Sequence, residues 1–325
     1  MDAHKPARLV SVIIPTWNRG ALVIDAVKSA LRQTWPRVQI IVVDDGSTDD
    51  TEERVTALPN VQYLRQEHRG QASARNLGAR HARGDYIATL DADDLWEADF
   101  LARSVLALES LNADFAFANW TRQTLDGRRD ASHWERDGRW RQYTAVADGE
   151  WYLLTESQSR QLMLASPVPS SAVLFRHQPL LYGWNEQINI TDDWNLLLDC
   201  VLTQPCRVAF TMRRLWTKRV SPDSISESLN PQGTTHTLYL QDAQFIKDRF
   251  CHRLSHTEIA ILSKTRLSMQ WYLASLLIRS HNQFGRGLPL LAGVFLKDPF
   301  GSIERTCRFV ARRFLARPFR GDQSL

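Results

Sequence analysis

The stretch Ile40–Thr51, IIVVDDGSTDDT, is where the sequence declares its fold. Four β-branched residues run without polar alternation, as in strands covered on both faces, and stop at Asp44, Asp45 and Gly46. Ser47 or Thr48 then suits a helix cap, and Asp49 and Asp50 complement the positive end of a helix. The pattern predicts a strand over Gln39–Val43, a tight turn, and a helix over Thr51–Leu58. A plain turn into a cap accounts for Ser47–Asp50 as well as a ligand site does; it accounts less well for the paired aspartates.

Working outward, the same alternation repeats. Leu9–Ile14, Val61–Leu64 and Tyr86–Leu90 read as buried strands, with helices over Ala21–Gln33, Ala72–His81 and Asp99–Leu111. Alternating β and α elements predict an α/β fold, a mostly parallel sheet flanked by helices. Such sheets bind ligands outside the carboxyl ends of their strands. Three of these ends are polar in a particular way: Pro15-Thr16-Trp17-Asn18-Arg19, Asp44-Asp45-Gly46-Ser47, and Asp91-Ala92-Asp93-Asp94. Two carboxylates about 4 Å apart repel by about 4 kcal/mol at an effective dielectric near 20, so a folded cluster calls for a cation. Arg75, in the segment GQASARN, is either an anion ligand or a solvated helix residue. Hard oxygen ligands beside a basic group suit Mn2+ or Mg2+ bridging a diphosphate.

Composition narrows the class. With 325 residues, 43% of them hydrophobic, the chain can bury a full core. A net charge of +4 is mild for that length and concentrated late, which argues against a nucleic-acid partner. Cys200, Cys206, Cys251 and Cys307 form no CxxC pair, so buried thiols in a reducing compartment are expected rather than structural zinc. The opening MDAHKPARLVSVIIP lacks the build of a signal peptide, and Trp271–Ile278 and Leu288–Leu296 fall short of the about 20 apolar residues that span a bilayer. A cytoplasmic location is expected.

Taken together, VSVIIPTWNR, IIVVDDGSTDDT and GQASARNLGARHARGDYIATLDADD resemble the nucleotide-sugar domain of family 2 glycosyltransferases, which have the GT-A fold. The likeness is close over 9–111 and looser to about Ser226. It implies a nucleotide-sugar donor, with UDP favoured, contacted by Pro15, Thr16, Asn18, Arg19, Asp44, Asp45, Arg75, Asp91 and Ala92. It further implies that Asp91 and Asp93 form the DxD motif that holds Mn2+ or Mg2+, with Asp94 assisting near the sugar. In Gly183–Trp194 the resemblance places the acceptor base, Asp193 first and Asp192 second; a helix cap before Trp194 explains the same residues. Trp184 and Trp194 are plausible stacking faces for a sugar, although tryptophan is more often core. The segment Trp216–Ser226 resembles a mobile loop over the donor, with Arg219 and Lys218 as diphosphate clamps; a basic surface loop fits equally.

The implied organisation is a catalytic domain over 1–230, split into a donor half (9–111) and an acceptor half (112–230), then a helical region over 231–325. The polar, tryptophan-rich stretch Trp120–Trp151 reads as an insertion near the acceptor cleft. Late in the chain, Ile303, Cys307, Val310 and Phe314 share a helical face, with Arg305, Arg308, Arg312 and Arg313 elsewhere. Such a helix either rests on an anionic membrane surface or packs with a solvated basic face. The acceptor is then a carbohydrate or a lipid-linked sugar, and the reaction a single displacement that inverts the anomeric carbon. A magnesium-dependent phosphohydrolase would require an aspartyl nucleophile after the first strand, where Pro15-Thr16-Trp17-Asn18 stands; a dehydrogenase would require GxGxxG there. A noncatalytic nucleotide-sugar binder has no use for Asp93 and Asp193 together.

Overall fold

The computed structural model describes residues 7–124, 126–132, 134–135, 143, 150–165, 168–177, 183–188, 190–220, 234–280 and 284–314. Val10–Thr16 forms β1, fully buried, and Val38–Asp44 lies parallel beside it as β2. Val61–Arg65 (β3) adds outside β2, and Tyr86–Thr89 (β4) takes the other side of β1, both parallel. The crossovers are α1 (Gly20–Leu31), α2 (Thr51–Thr56) and α3 (Gln71–His81). In α1, Val23, Ala26, Val27 and Ala30 are buried at spacings of three and four, so one stripe meets the sheet. α3 comes close to the sheet through Gly78, where a Cβ would collide with the Ile13 side chain.

The second half brings antiparallel pairs. It contains β5 (Leu95–Trp96), α4 (Phe100–Ser110), β6 (Phe115–Gln123), β7 (Arg129–Ala131), β8 (Tyr152–Leu153), α5 (Glu156–Ala165), β9 (Val173–Arg176), α6 (Asp192–Thr203) and β10 (Val208–Arg219). The sheet order is β3-β2-β1-β4-β9-β6-β10-β5, with β7 on β6 and β8 on β10. β9 runs antiparallel to both β4 and β6, and β10 parallel to β6. The parallel expectation therefore describes the first four strands, and the sheet beyond them is mixed. Trp120–Trp151 does not behave throughout as an inserted loop. Trp120–Gln123 completes β6, where Trp120 packs against Trp134 and Trp216 with ring centroids 4.7 and 5.3 Å away; most of 136–149 lies outside the described residues.

Among the described residues four α-helices follow: α7 (Thr234–Phe250), α8 (His256–Ser280), α9 (Phe284–Lys297) and α10 (Pro299–Phe314). α7 sends Ala243, Ile246 and Phe250 into the main core. α8 is pinned to α5 by the Arg160–Glu258 pair (2.6 Å) and by Thr265 Oγ1 donating to the Leu164 carbonyl (3.1 Å). Among the described residues no helix is long and apolar enough to cross a membrane. Cys200 and Cys206 are buried, and burial pushes the Cys200 thiol up to about 12, but Cys251 and Cys307 are exposed, so the expectation of buried thiols holds for only two of the four.

Candidate active site

The carboxyl ends of β1, β2 and β4 come side by side because Thr16 sits opposite Asp44 and Leu90 N donates to the Ile13 carbonyl at 3.0 Å. They open on a cavity of about 1690 Å³. Of the residues singled out from the sequence, Pro15, Thr16, Asn18, Arg19, Asp45, Arg75, Asp91, Ala92, Asp93, Asp94, Asp193, Lys218 and Arg219 line it; Asp44, Asp192, Trp184 and Trp194 do not.

The paired aspartates after β2 separate in role. Asp44 ends the strand fully buried, accepting from Ser47 N (2.7 Å) and Tyr63 Oη (2.6 Å). It shapes the turn from beneath and does not reach the cavity, which corrects its assignment as a nucleotide contact. Asp45 faces the cavity and gathers the loop after β3: Oδ1 accepts from Gln66 Nε2 (2.7 Å) and Arg69 N (2.9 Å), and Oδ2 from Gly70 N (2.8 Å). The turn needs Gly46 at φ 81°, where a Cβ would lie 3.0 Å from His68 N. Asn18, also left-handed at φ 50°, ties the β1 end to this turn: its N donates to Ser47 Oγ (2.8 Å) and its Oδ1 accepts from Thr48 N (2.7 Å).

The Asp91–Asp94 loop is held from three sides. Arg219 Nε donates to the Asp93 carbonyl (2.6 Å), Arg219 N to Asp94 Oδ1 (3.2 Å), and the guanidinium also pairs with Asp25 (2.9 Å). Arg219 thus sits at the end of β10 as a strut for the acidic loop while also lining the cavity, and 221–226 lies outside the described residues. Asp94 accepts from Ser171 Oγ (2.7 Å), and burial, with Asp93 and Asp91 beside it, holds it well above the usual carboxylate range. Asp93 is paired with Arg19. Asp91 accepts from Arg75 Nη2 (2.7 Å) and Ser170 Oγ (3.2 Å).

Arg75 links the two halves. It is 2% exposed and also donates from Nη1 to Asp192 (2.5 Å), so one guanidinium spans the acidic loop and the start of α6. Asp192, fully buried, takes a further bond from Gln71 Nε2 (2.6 Å). Its oxygens are engaged by Arg75 and Gln71, and it does not itself line the cavity. Asp193 instead reaches the cavity, accepting from Trp194 N (2.7 Å) and Ser170 N (3.2 Å). Burial and the Asp192 carboxylate push its carboxyl up to about 7, against the pull of Arg75. Trp184 and Trp194 are 3% and 0% exposed, and Trp194 Nε1 donates to the Met163 carbonyl (2.6 Å). Neither presents a ring to a sugar; both are core.

Three features escaped the sequence reading. Ser170 and Ser171 touch Asp91, Asp94 and Asp193 together, yet nothing local marks that serine pair. Trp17, 49% exposed, stacks on His68 at 4.4 Å on the cavity rim. Lys264, Thr265, Ser268, Met269 and Tyr272 of α8 form a wall of the cavity. Thr16 Oγ1 and Arg75 Nε are buried without a hydrogen-bond partner among the described residues.

Residues 11–170 match the family model described as glycosyl transferase family 2. These residues belong to that family. A glycosyltransferase of Rickettsia conorii, itself uncharacterized, is 39% identical over 123 residues, which is 37% of this chain and 20% of that protein. The UDP-Glc:alpha-D-GlcNAc-diphosphoundecaprenol beta-1,3-glucosyltransferase WfaP of Escherichia coli is 34% identical over 115 residues, 34% of this chain and 46% of WfaP. The chain spans between about a fifth and about half of the length of the first curated relatives it matches. The mannosyltransferase PcManGT from Pyrobaculum calidifontis, solved with GDP-Man and Mn2+, superposes with a TM-score of 0.57 at 20% identity, covering 94% of this chain and 80% of that one. The glycosyltransferase domain thus has the GT-A fold.

Proposed function

We propose that the chain is an inverting, metal-dependent glycosyltransferase that moves a sugar from a UDP-linked donor to a hydroxyl of a carbohydrate or lipid-linked acceptor. The observation that carries this reading is that Asp91 and Asp93, at the end of β4, and Asp193, at the start of α6, line one cavity. Among the described residues no three His, Cys, Asp or Glu side chains gather to hold a metal by themselves. Two carboxylates on an open cavity suit an ion that takes its other ligands from diphosphate and water, which is how Mg2+ and its relatives are commonly held. Asp91 and Asp93 would hold it, and it would offset charge on the departing diphosphate.

The chain's own groups supply the rest. Thr16 and Asp45, with Trp17 at the rim, form the end suited to a nucleoside, and the unpartnered Thr16 hydroxyl is a ready contact. Arg19 adds a cation beside Asp93. Asp193 takes the proton from the acceptor hydroxyl as its oxygen bonds to the anomeric carbon and the bond to the diphosphate breaks on the opposite face. Attack from one face and departure from the other inverts the centre. The α8 wall, with Lys264 and Tyr272, is the acceptor side. Leu296 and Phe300 are each 85% exposed and Ile303 54%, on helices whose sequence continues into Arg308, Arg312 and Arg313. That combination supports contact with an anionic membrane surface, where a lipid-linked acceptor such as that in the name of WfaP would reside.

The test is a panel of UDP-sugars with an oligosaccharide or lipid-diphosphate sugar acceptor, with Mn2+ or Mg2+, followed by NMR of the product. Chelator-sensitive UDP release and an inverted product are expected. Donor binding without turnover would indicate a noncatalytic binder, and release of inorganic phosphate from phosphomonoesters alone would indicate a phosphohydrolase.

A further inference from the structure

We propose that Asp242, on α7 and outside the 11–170 family match, is a positioning residue for Asp193. Asp242 is 2% exposed. Its Oδ2 accepts three hydrogen bonds from the two residues that lead into α6: Ile190 N at 2.9 Å, Thr191 N at 3.1 Å and Thr191 Oγ1 at 3.1 Å. Thr191 is the N-cap of α6, yet its side chain makes no capping bond to its own helix. Asp242 takes that hydroxyl instead, in trans, from another helix.

The consequence runs through the backbone. The Thr191 carbonyl accepts the first helical bond, from Asn195 N at 2.9 Å, so the orientation of Thr191 sets the first turn of α6, and Asp193 is the second residue of that turn. A carboxylate suits this place because the start of a helix carries partial positive charge. A second clasp keeps α7 in register: Arg249 Nη1 meets Asn195 Oδ1 (2.8 Å) and Asp199 Oδ2 (2.9 Å). Asp242 and Arg249 are two helical turns apart on α7, and Asn195 and Asp199 one turn apart on α6, with Ala243 and Ile246 buried between them. The helical region beyond the family match thereby sets where the acceptor base stands: the bonds shown from Asp242 and Arg249 go to Ile190, Thr191, Asn195 and Asp199, on the acceptor side. This inference rests on Asp193 being the base.

The experiment compares Asp242→Ala, Asp242→Asn and Glu258→Gln in the full chain, reading kcat, donor Kd by calorimetry and Tm. Misplacing a reacting group by about 1 Å costs on the order of 100-fold. Asp242→Ala is expected to lower kcat by about 10-fold to 100-fold with donor Kd within about twofold, and Asp242→Asn, which keeps an acceptor oxygen, to recover most of the loss. Glu258→Gln loosens α8 from α5 without removing the Asp242–Thr191 bonds, so it should lower Tm with a smaller loss of kcat than Asp242→Ala. Should Asp242→Ala not fold, Asp242→Glu, which displaces the carboxylate by one methylene, is expected to show the same split. A normal kcat in a folded Asp242→Ala or Asp242→Glu, an equal loss of donor binding, or an equal kcat loss in Glu258→Gln at matched Tm overturns the proposal. Asp193→Asn measured in parallel separates the two claims: if it retains transfer, the base assignment fails; if it is dead while Asp242→Ala is fully active, only the positioning role fails.

Discussion

Replacing Arg75 with Met removes a side chain that bridges the acidic loop and the start of α6, and the structure sets the size of the effect. Arg75, 2% exposed, makes charge-assisted bonds to the fully buried Asp192 (2.5 Å) and the partly exposed Asp91 (2.7 Å) and a third to Ser170 Oγ (3.0 Å). Its Nε has no partner and contributes nothing comparable. Removing one member of a buried pair costs about 3–5 kcal/mol, because the other charge stays buried without compensation. Here that charge is Asp192, left with Gln71 alone. Arg75→Met should therefore lose about 3–5 kcal/mol in urea unfolding followed by tryptophan fluorescence. Arg75→Lys keeps the charge but loses the fork that reaches two carboxylates, and should recover only part of the loss. A loss below about 1 kcal/mol, typical of an exposed ion pair, would refute the bridge.

Asp45→Ala should weaken UDP binding by on the order of 1.5–3 kcal/mol, the range for a hydrogen bond to a charged group, leaving metal dependence unchanged; altered metal dependence at normal affinity would move Asp45 to the other end of the donor. Because Asp193 must be ionised to accept a proton and its carboxyl stands at about 7, log kcat/KM for the acceptor should rise with pH below about 7 and level off above it. A profile flat from pH 5.5 to 8 would contradict that. Leu296→Asp combined with Phe300→Asp should release the protein from vesicles rich in anionic lipid, checked by co-sedimentation; undiminished binding would show that this face is not the contact.

The donor half was legible because local sequence dictates it. Runs dominated by β-branched residues, such as VSVII and IIVV, leave little choice but buried strands, and the strand ends follow from their boundaries. The acceptor half depends on partners far along the chain. Phe115–Gln123 is a strand because β10 and β9 flank it, 93 residues downstream in the pairing of Phe115 with Val208. No window around Trp120 carries that information. Burial was the second blind spot: Trp184 and Trp194 have the chemistry of a stacking platform and the environment of a core, and only packing tells which. Asp44 and Asp45 part because the strand ends between them: Asp44 closes β2 against Tyr63, and Asp45 opens the turn beside the loop after β3. The α8 wall and Asp242 lie beyond the recognised motifs, where the sequence offers helical periodicity but no sign of what the helices face.

The most direct test of the central claim, that donor carboxylates and an acceptor base meet in one cavity, is single-turnover transfer by Asp193→Asn at saturating UDP-sugar, with donor affinity measured on the same preparation. The substitution keeps size and most capping ability but removes the proton acceptor. The account predicts unchanged donor affinity with transfer reduced by about 100-fold or more. Transfer near the wild-type rate, with donor bound as before, would contradict it.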